Sequence, residues 1–549
     1  MRTLSHMSQP IVSVSGVRGI VGESFTDDLV RGWAEAFAEF CHPERSEGSR
    51  RDSSASARSS GPSPQNDTQV VLGRDTRPSG EAALAVAARA LAAHGIQPII
   101  VGIAPTPTIQ LAVTHHRAAG AMIITASHNP QEWNGLKFLG ADGVFLTGEE
   151  MKVLEHTVIL SVAQRSEGSR RRDSSVAPLP QNDSGAIQRH IENVLSLPID
   201  AEKIRTRKFR VVVDPVNGAG AVAVPQLLQQ LGCDVVTING EPNGHFAHTP
   251  EPTPANLTEL GQRVATEKAD LGIAVDPDAD RLVLVDETGT VMSEEYTVTL
   301  AVLSALSSPV IQSPSRVILN AVKDLGVNSA KNPSPWDRPE QQRRISRDPS
   351  SRSGGTQDDK RIVVANLSTT RMVDDVAQKY GATVVRTPVG ERNVVEGMRQ
   401  HGALIGGEGS GGVIFPQSHE GRDSLVGVAL VLDLLARPRS NFRSWTVVET
   451  SEVGATKLSS LVAALPRYVM QKEKFPRSAE FDRERFAAQL KKAFPKARID
   501  TRDGIRVDTA EGWIHLRPSN TEPIVRLIGE ANTSEGLRKL QETARQAIS

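Results

Sequence analysis

The 549-residue chain has few cysteines, almost no net charge and no long hydrophobic run. Its two cysteines, Cys41 and Cys233, are too few for a disulfide framework, which fits a reducing compartment. A formal net charge of −1 gives no reason to expect a nucleic-acid partner. The N-terminus lacks the apolar core of a signal peptide, and no later run approaches the ~20 apolar residues of a membrane span. These absences predict a soluble, cytoplasmic protein with neither a nucleic-acid nor a membrane partner.

Three tracts rich in Arg, Ser, Pro and Asp look like insertions into the fold. The segment RSEGSRRDSS at 45–54 recurs as RSEGSRRRDSS at 165–175, and PQND follows each copy. Tracts so poor in apolar residues cannot bury enough surface to offset their ordering entropy. We therefore predict insertions at about 43–67, 165–183 and 312–359, at junctions where extra loop length costs little. A basic nucleic-acid arm is the alternative, but the tracts contain acidic residues and no interleaved aromatics beyond Trp336.

Apolar runs alternate with helical patterns along the remaining chain. A strand pattern at 69–72 precedes an alanine-rich helical pattern at 80–93, and a second strand pattern follows at 98–101. This alternation predicts an α/β fold. Ser127 follows a further apolar run, 121–124, in GAMIITASHNP. We expect it in an exposed loop at the carboxyl end of a strand, where open α/β sheets bind their ligands.

A second apolar strand leads into the loop DPDADR, which contains Asp276, Asp278 and Asp280. Three carboxylates at alternate positions of an exposed loop repel one another. A hard divalent cation would relieve that repulsion, and oxygen-only ligands favour Mg²⁺. Glu287 lies at the twelfth position of an EF-hand loop, but Arg281 occupies the position that requires glycine, so calcium sensing is not expected. A solvated acidic turn is the remaining alternative.

Two glycine-containing segments allow more than one interpretation. Arg18 stands between Gly16 and Gly19, which suits either a tight loop that presents a guanidinium to an anion or a plain hairpin turn. The pattern from Gly218 to Ala223 resembles a dinucleotide fingerprint, with acidic residues at 234 and 241. Asp-Pro-Val-Asn precedes its first glycine where a nucleotide fold has a tight turn, so an ordinary strand-to-helix turn is favoured.

Two late motifs carry groups that suit a sugar phosphate. Glu408 and Ser410 in IGGEGSGG can bond sugar hydroxyls, because glycines let the backbone approach closely. The RPSNTEP segment offers phosphate donors, and Arg526 on the following strand can support them. Its donors are Arg517, Ser519, Asn520 and Thr521. A glycine-rich linker and a purely structural turn are the respective alternatives.

TASHNP, DPDADR, GEGSGG and RPSNTEP follow one another in an order that resembles the α-D-phosphohexomutases, enzymes that move phosphate between the 1- and 6-positions of a hexose. The resemblance covers essentially the whole chain outside the insertions. It implies three successive α/β domains (1–186, 187–292 and 293–445) and a C-terminal α+β domain (446–549) around a central cleft.

The resemblance also implies the chemistry. Phosphorylated Ser127 would donate to a hexose monophosphate and take back the other phosphate of a hexose bisphosphate, which would also act as the activator. One Mg²⁺ per active site would bind Ser127 and the three aspartates of DPDADR. Lys137, His128 and Arg18 are candidates for proton transfer and phosphate contact, with Lys137 first. The implied substrate-binding residues are Arg281, Glu408, Ser410, Arg517, Ser519, Asn520, Thr521 and Arg526.

The preferred sugar is less sharply indicated. GEGSGG looks most like the phosphoglucosamine mutases, with phosphomannomutase or phosphoglucomutase activity as the alternative. Gly412 stands where the family usually has histidine, and Glu391 where many members have histidine or aspartate. A non-catalytic sugar-phosphate-binding relic and a dehydrogenase remain as hypotheses from other classes, and the oligomeric state stays open.

Overall fold

The computed structural model describes residues 9–14, 16–41, 66–166, 180–308, 311, 361–438, 456–476, 481–518 and 524–548. These residues form fifteen helices and twenty strands, and the strands assemble into four sheets. The three predicted insertions lie for the most part outside the described residues and stay predictions. No helix in the described ranges combines the length and apolar character needed to cross a lipid bilayer.

The first sheet has seven strands in the order β1-β2-β6-β5-β3-β4-β7. They are β1 Ile11–Ser13, β2 Gly16–Ile20, β3 Asn66–Arg74, β4 Gln97–Ile103, β5 Ala118–Ile124, β6 Trp133–Leu139 and β7 Gln181–Asn182. The helices of this part are α1 Asp27–Cys41, α2 Gly80–Ala93, α3 Thr106–His116 and α4 Gly148–Ser166. Every residue of β5 is buried, as expected for a central strand with both faces covered.

The second and third sheets have four strands each, in the orders β11-β10-β8-β9 and β13-β12-β14-β15. The second contains β8 Arg210–Asp214, β9 Asp234–Thr237, β10 Leu271–Val275 and β11 Leu282–Asp286, and the third contains β12 Ile362–Asn366, β13 Thr383–Thr387, β14 Ile405–Glu408 and β15 Gly412–Ile414. The helices are α5 Ala186–Leu195, α6 Ala201–Arg207, α7 Gly220–Gln230, α8 Thr258–Glu267, α9 Glu295–Ser307, α10 Met372–Lys379, α11 Glu391–His401, α12 Ser424–Ala436 and α13 Leu458–Ala464. One continuous apolar core joins the two sheets, and α9 and α12 are buried along nearly their whole length within it.

The fourth sheet is entirely antiparallel, in the order β16-β20-β19-β18-β17. Its strands are β16 Val469–Pro476, β17 Arg498–Asp500, β18 Ile505–Asp508, β19 Gly512–Pro518 and β20 Ile524–Ala531. Helices α14 Arg483–Ala493 and α15 Ser534–Ile548 pack against it over a separate core. The prediction of three α/β domains and a C-terminal α+β domain is confirmed, whereas the residue boundaries between them stay a prediction.

The first three sheets share one strand pattern. Four strands of each sheet, which are β3 to β6 in the first, follow it: three parallel strands precede an antiparallel fourth, and their spatial order is fourth, third, first, second. The connection from the third to the fourth strand carries Ser127 in the first sheet, residues 276–281 in the second and residues 409–411 in the third. Three of the four predicted functional motifs therefore leave the carboxyl end of the same topological strand.

Of the two interpretations of the segment around Arg18, the structure favours the hairpin turn over a tight loop, and contact of Arg18 with an anion stays a prediction. Arg18 lies within β2, which pairs antiparallel with β1 and with β6. The reversal occurs before it, where Gly16 has a φ of 104° that a residue with a side chain rarely adopts. Gly19 lies further along β2. A Cβ there would come within 2.8 Å of Phe25 N, so the close approach of that backbone requires glycine. The two glycines thus serve a turn and a close approach.

Candidate active site

Ser127 lies between β5 and β6 in a left-handed backbone conformation. Its φ of 50° is uncommon for a residue with a side chain and stores strain. Its amide donates to Thr125 Oγ1 at 2.9 Å, and its carbonyl accepts from Arg77 at 2.8 Å. Asp75 Oδ2 accepts from both partners, Thr125 Oγ1 and Arg77 Nε. This buried network holds the strained turn and so determines the position of the Ser127 hydroxyl.

The side chains at the two predicted catalytic loops are buried, so the expectation that they are exposed is wrong, although Pro130 and Glu132 of the Ser127 loop are exposed. Ser127 and the three aspartates of residues 276–281, hereafter the metal loop, are each 2% exposed or less. Packing between sheets causes this burial. At the start of α3, Thr106 donates through Oγ1 to the Asp278 carboxylate and through its amide to the Asp278 carbonyl, both at 2.8 Å. Neither contact has a signal in the local sequence around the metal loop.

The metal loop meets Ser127 at the centre of the molecule. Ser127 Oγ donates to Asp276 Oδ2 at 2.9 Å, and oxygens of Asp276, Asp278 and Asp280 lie within 4.8 Å of one another. Among the described residues, Asp278 Oδ1 and Asp280 Oδ1 are buried and accept no hydrogen bond. A buried carboxylate oxygen without a partner is unfavourable, and a hard divalent cation can take that place. The donor set therefore fits Mg²⁺.

The charges of these carboxyl groups depend on one another. Burial, followed by the two neighbouring carboxylates, raises the pKa of Asp276 well above its ordinary value. Burial acts in the same direction on Asp278, but the ion pair with Lys137 at 2.6 Å outweighs it and lowers the pKa of Asp278. Burial by itself would lower the pKa of Lys137, whereas Asp278 and Asp280 raise it overall. Lys137 is thus a buried cation in this arrangement.

Arg281, Arg18 and His128 lie close to the Ser127 loop. Arg281 Nε lies 3.9 Å from a carboxylate oxygen of the metal loop, and Arg18 lies beside the Ser127 loop, where it donates to the Asn129 side chain. His128 Nδ1 is 3.4 Å from Ser127 Oγ. The charge of Arg281, followed by burial and the charge of Arg18, holds the pKa of His128 well below its ordinary value. A neutral imidazole among guanidinium groups suits an incoming phosphate dianion.

The GEGSGG segment forms the hairpin turn between β14 and β15. Glu408 ends β14 and is 4% exposed, whereas Ser410 lies half-buried in the turn. Gly411 O accepts from Leu282 N at 3.0 Å, directly after the metal loop. The third sheet therefore brings Glu408 and Ser410 to the same centre as Ser127, as the shared strand pattern suggests.

The C-terminal phosphate motif is described only in part, because Ser519, Asn520 and Thr521 lie outside the described residues. Arg517 Nε donates to Asp503 Oδ1 at 2.9 Å. Arg526 lies directly opposite Arg517 on the neighbouring strand of the antiparallel sheet. Two arginines that face each other across neighbouring strands can donate together to a phosphate dianion.

The dinucleotide hypothesis does not agree with the packing of its glycines. Ala219 N donates to Pro277 O at 2.7 Å. A Cβ at Gly218 would come within 2.7 Å of the Pro277 Cα. This turn packs directly on the metal loop, so its backbone approaches protein where a pyrophosphate would have to lie.

Several residues of the site escaped sequence reasoning. Asp75 and Thr125 support the Ser127 turn, Thr106 binds the metal loop, and Arg422 Nη2 donates to Asp280 at 2.7 Å. Arg77, which follows the strand pattern at 69–72, was assigned no role from the sequence. The single available signal was the polar cluster GRDTR after β3, which marks the carboxyl end of a strand next to the one that precedes Ser127.

Comparison with known proteins gives a consistent result. Four family models of phosphoglucomutase/phosphomannomutase match the chain: the three alpha/beta/alpha domains at residues 10–160, 188–289 and 347–466, and the C-terminal domain at 474–547. The chain is 32% identical over 530 residues to a phosphoglucomutase/phosphomannomutase of Thermococcus kodakarensis, which covers 96% of each protein.

It is also 31% identical over 487 residues to a Pyrococcus abyssi protein named "Probable phosphoglucosamine mutase", covering 88% of this chain and 90% of that one. A crystal structure of a phosphoglucomutase/phosphomannomutase family protein from Burkholderia thailandensis superposes with a TM-score of 0.71 at 22% identity, over 99% of this chain and 98% of the other. That likeness shows the shared fold.

Proposed function

Because the chain belongs to the phosphoglucomutase/phosphomannomutase family and is a phosphohexomutase, we propose that it interconverts hexose 6-phosphate and hexose 1-phosphate through phosphorylated Ser127. The observation that carries this proposal is the meeting of the Ser127 hydroxyl with Asp276 at 2.9 Å. A nucleophile, an acidic metal loop and a ring of cations in one buried place suit phosphoryl transfer, which needs mainly positioning and charge stabilisation.

The proposed transfer proceeds in two balanced steps. In the first, the bond between Ser127 Oγ and phosphorus breaks, and a bond forms from phosphorus to the free hydroxyl oxygen of the hexose monophosphate. The proton of that hydroxyl passes, through a neighbouring side chain, to the departing Ser127 Oγ. Asp278 and Asp280 hold Lys137, the first candidate, as a cation, so we assign this relay to His128, whose Nδ1 lies 3.4 Å from Ser127 Oγ. The resulting hexose bisphosphate turns over. In the second step the bond between its other phosphorus and the sugar oxygen breaks, phosphorus bonds to Ser127 Oγ, and the Ser127 proton passes to the sugar oxygen that is released. The hexose bisphosphate is therefore also the activator that phosphorylates Ser127 initially.

Each neighbouring group has a proposed part in this transfer. Bound to Ser127 and the three metal-loop aspartates, Mg²⁺ would supply neutralisation of the charge on the transferred phosphoryl group. Lys137, in ion pairs with Asp278 and Asp280, holds a further positive charge beside it. Arg18 and Arg281 bind phosphate oxygens bidentately.

The remaining predicted residues would hold the far end of the substrate. Glu408 and Ser410 bond sugar hydroxyls, and Arg517 and Arg526, together with the donors at 519–521, bind the second phosphate. Because both phosphorylated ends of the hexose must reach Ser127 in turn, one hydroxyl-binding turn and one distal phosphate site must accept two orientations of the sugar.

We propose hexosamine phosphate as the preferred substrate, which would make the protein a phosphoglucosamine mutase. The GEGSGG turn and the relative named for that activity support this choice. Glucose or mannose phosphate is the second candidate, supported by the Thermococcus relative.

The test is Mg²⁺-dependent turnover of glucosamine, mannose and glucose phosphates, each primed with its hexose bisphosphate. Ser127→Ala should abolish turnover and phosphoprotein formation, whereas Ser196→Ala, at an exposed serine of an unrelated helix end, should change neither. Turnover of one sugar names the substrate. A folded, Ser127-phosphorylated protein that turns over none of the three would refute the mutase proposal in favour of a sugar-phosphate-binding relic.

A further inference from the structure

Arg422 connects three acidic residues that come from different parts of the proposed site. Its Nη2 donates to Asp280 at 2.7 Å, its Nε to Glu391 at 2.9 Å and its Nη1 to Glu408 at 3.2 Å. The Arg422 side chain is only 12% exposed. One guanidinium thus joins the metal loop, the first turn of α11 and the GEGSGG hairpin, and three carboxylates are held around it.

The hydrogen bonds of Glu408 show what this contact does. Glu408 Oε1 accepts from Asn366 Nδ2 at 2.8 Å and from Gly390 N at 2.9 Å, which uses both of its lone pairs. Glu408 Oε2 accepts from Arg422 alone among the described residues. One lone pair of Oε2 is therefore left for a ligand, and Arg422 determines its direction.

Arg422 can take this position only because residue 412 has no side chain. A Cβ at Gly412 would lie 2.2 Å from Arg422 Cδ and 2.8 Å from its Cγ. Gly412 is not among the glycines with a positive φ, so its backbone does not itself require glycine. A glycine within a strand is otherwise unfavourable and often marks a close approach. Here the close approach is that of Arg422.

We propose that Arg422 and Gly412 act as one unit that positions Glu408 Oε2 to accept a sugar hydroxyl, which makes Arg422 a positioning residue for substrate specificity. This inference rests on the proposed function, since it concerns the sugar-binding turn of the same site. Lys137 also contacts Asp280, so the metal loop keeps a cation when Arg422 is removed. Loss of Arg422 should therefore weaken substrate binding more than the transfer step.

The experiment is a double-mutant cycle with Arg422→Ala, Gly412→Ala and the double variant. Arg422→Ala should raise KM for the hexose phosphate at least tenfold while kcat falls less than threefold. Gly412→Ala should reproduce this effect, because the new methyl group displaces Arg422. In the Arg422→Ala background, Gly412→Ala should add no further loss. Arg422→Lys retains one charge but cannot span three carboxylates, so an intermediate KM is expected.

Arg399→Ala is the matched control, and KM should stay within twofold of wild type. Arg399 is an exposed arginine of the same domain, and it pairs with Glu420 and with Asp142 of the first domain. Calorimetric titration with a hexose monophosphate compares substrate binding without turnover when Arg422→Ala and Gly412→Ala are each combined with Ser127→Ala. It therefore separates failure of this inference from failure of the proposed mutase activity. Independent, multiplying effects of the two substitutions, or an unchanged KM with a reduced kcat, would overturn the proposal. If Arg422→Ala does not fold, Gly412→Ala and Arg422→Lys decide between the same outcomes.

Discussion

Arg77 should determine whether the Ser127 turn keeps its shape. Its side chain is fully buried and pairs with the buried carboxylate of Asp75 at 3.1 Å. Its two terminal nitrogens donate at 2.6 to 2.9 Å to four main-chain carbonyls of the turn, those of Ser127, Asn129, Pro130 and Trp133. Arg77→Met removes all five bonds and retains most of the volume.

The expected magnitude follows from the charge that is left behind. Breaking a buried ion pair by removing one partner costs about 3–5 kcal/mol, because the other charge stays buried and unpaired. The carbonyls of the turn lose partners as well, and the left-handed Ser127 no longer has its strain balanced. Since about 1.4 kcal/mol corresponds to a factor of ten, a cost of about 3–5 kcal/mol should make local opening of residues 125–133 roughly 100- to 4,000-fold more frequent.

Hydrogen exchange followed by mass spectrometry on peptides that cover residues 125–133 measures this opening directly. Arg89→Met, at an exposed position of the helix that follows, is the matched control and should leave exchange unchanged. Exchange rates in Arg77→Met within threefold of wild type would refute the argument that Arg77 holds the turn.

Three further predictions concern stability. Burial raises the pKa of Glu295 to about 8, so its contribution is complete below its unfolded pKa of about 4.5 and is lost as pH rises towards 8. Melting temperatures at about pH 5 and about pH 8 should therefore decline less in Glu295→Gln than in wild type. Burial would raise the pKa of Asp423, but His190 and His419 lower it overall, so its contribution is present above its unfolded pKa of about 3.9 and is lost as pH falls. Acid unfolding followed by circular dichroism should be less steep below about pH 4 in Asp423→Asn. Gly16→Ala should lower the melting temperature strongly, because its Cβ would lie 1.9 Å from a main-chain oxygen. Gly22 has a similar φ but open space around it, so Gly22→Ala should lower the free energy of unfolding by only about 1–2 kcal/mol. Equal effects of the two substitutions would contradict the steric argument.

The residues that carry a local pattern could be predicted. Ser127 and the three metal-loop aspartates each follow a short apolar run, and the change from buried strand to polar loop is visible in adjacent residues. The α/β alternation and the order of four motifs also lie in the sequence. The metal loop was recognised by its charge pattern, because three carboxylates at alternate positions need a cation or water.

Contacts between distant parts of the chain could not be predicted in the same way. Thr106 and Asp278 are 172 positions apart, and Arg422 and Asp280 are 142 apart. Nothing in the residues around Arg422 distinguishes it from a surface arginine. Gly412 stood out only as a glycine where the family usually has histidine, which gave no sign of its contact with Arg422. The exposure of Ser127 and of the metal-loop aspartates was predicted incorrectly for the same reason, since covering groups come from distant parts of the chain, such as Thr106 at the start of α3.

The amino-acid sequence by itself therefore determined the chemistry that is available: a serine at a strand end, three alternating carboxylates, and arginines and glycines at the turns. These local patterns can be read from adjacent residues, because the spacing of neighbouring residues sets the local backbone structure. Only the tertiary structure decided burial, pairing and charge. Three sheets with the same strand order direct their third-to-fourth connections to one place, and exclusion of water there makes a cation such as Lys137 or Arg422 a necessary partner of the carboxylates.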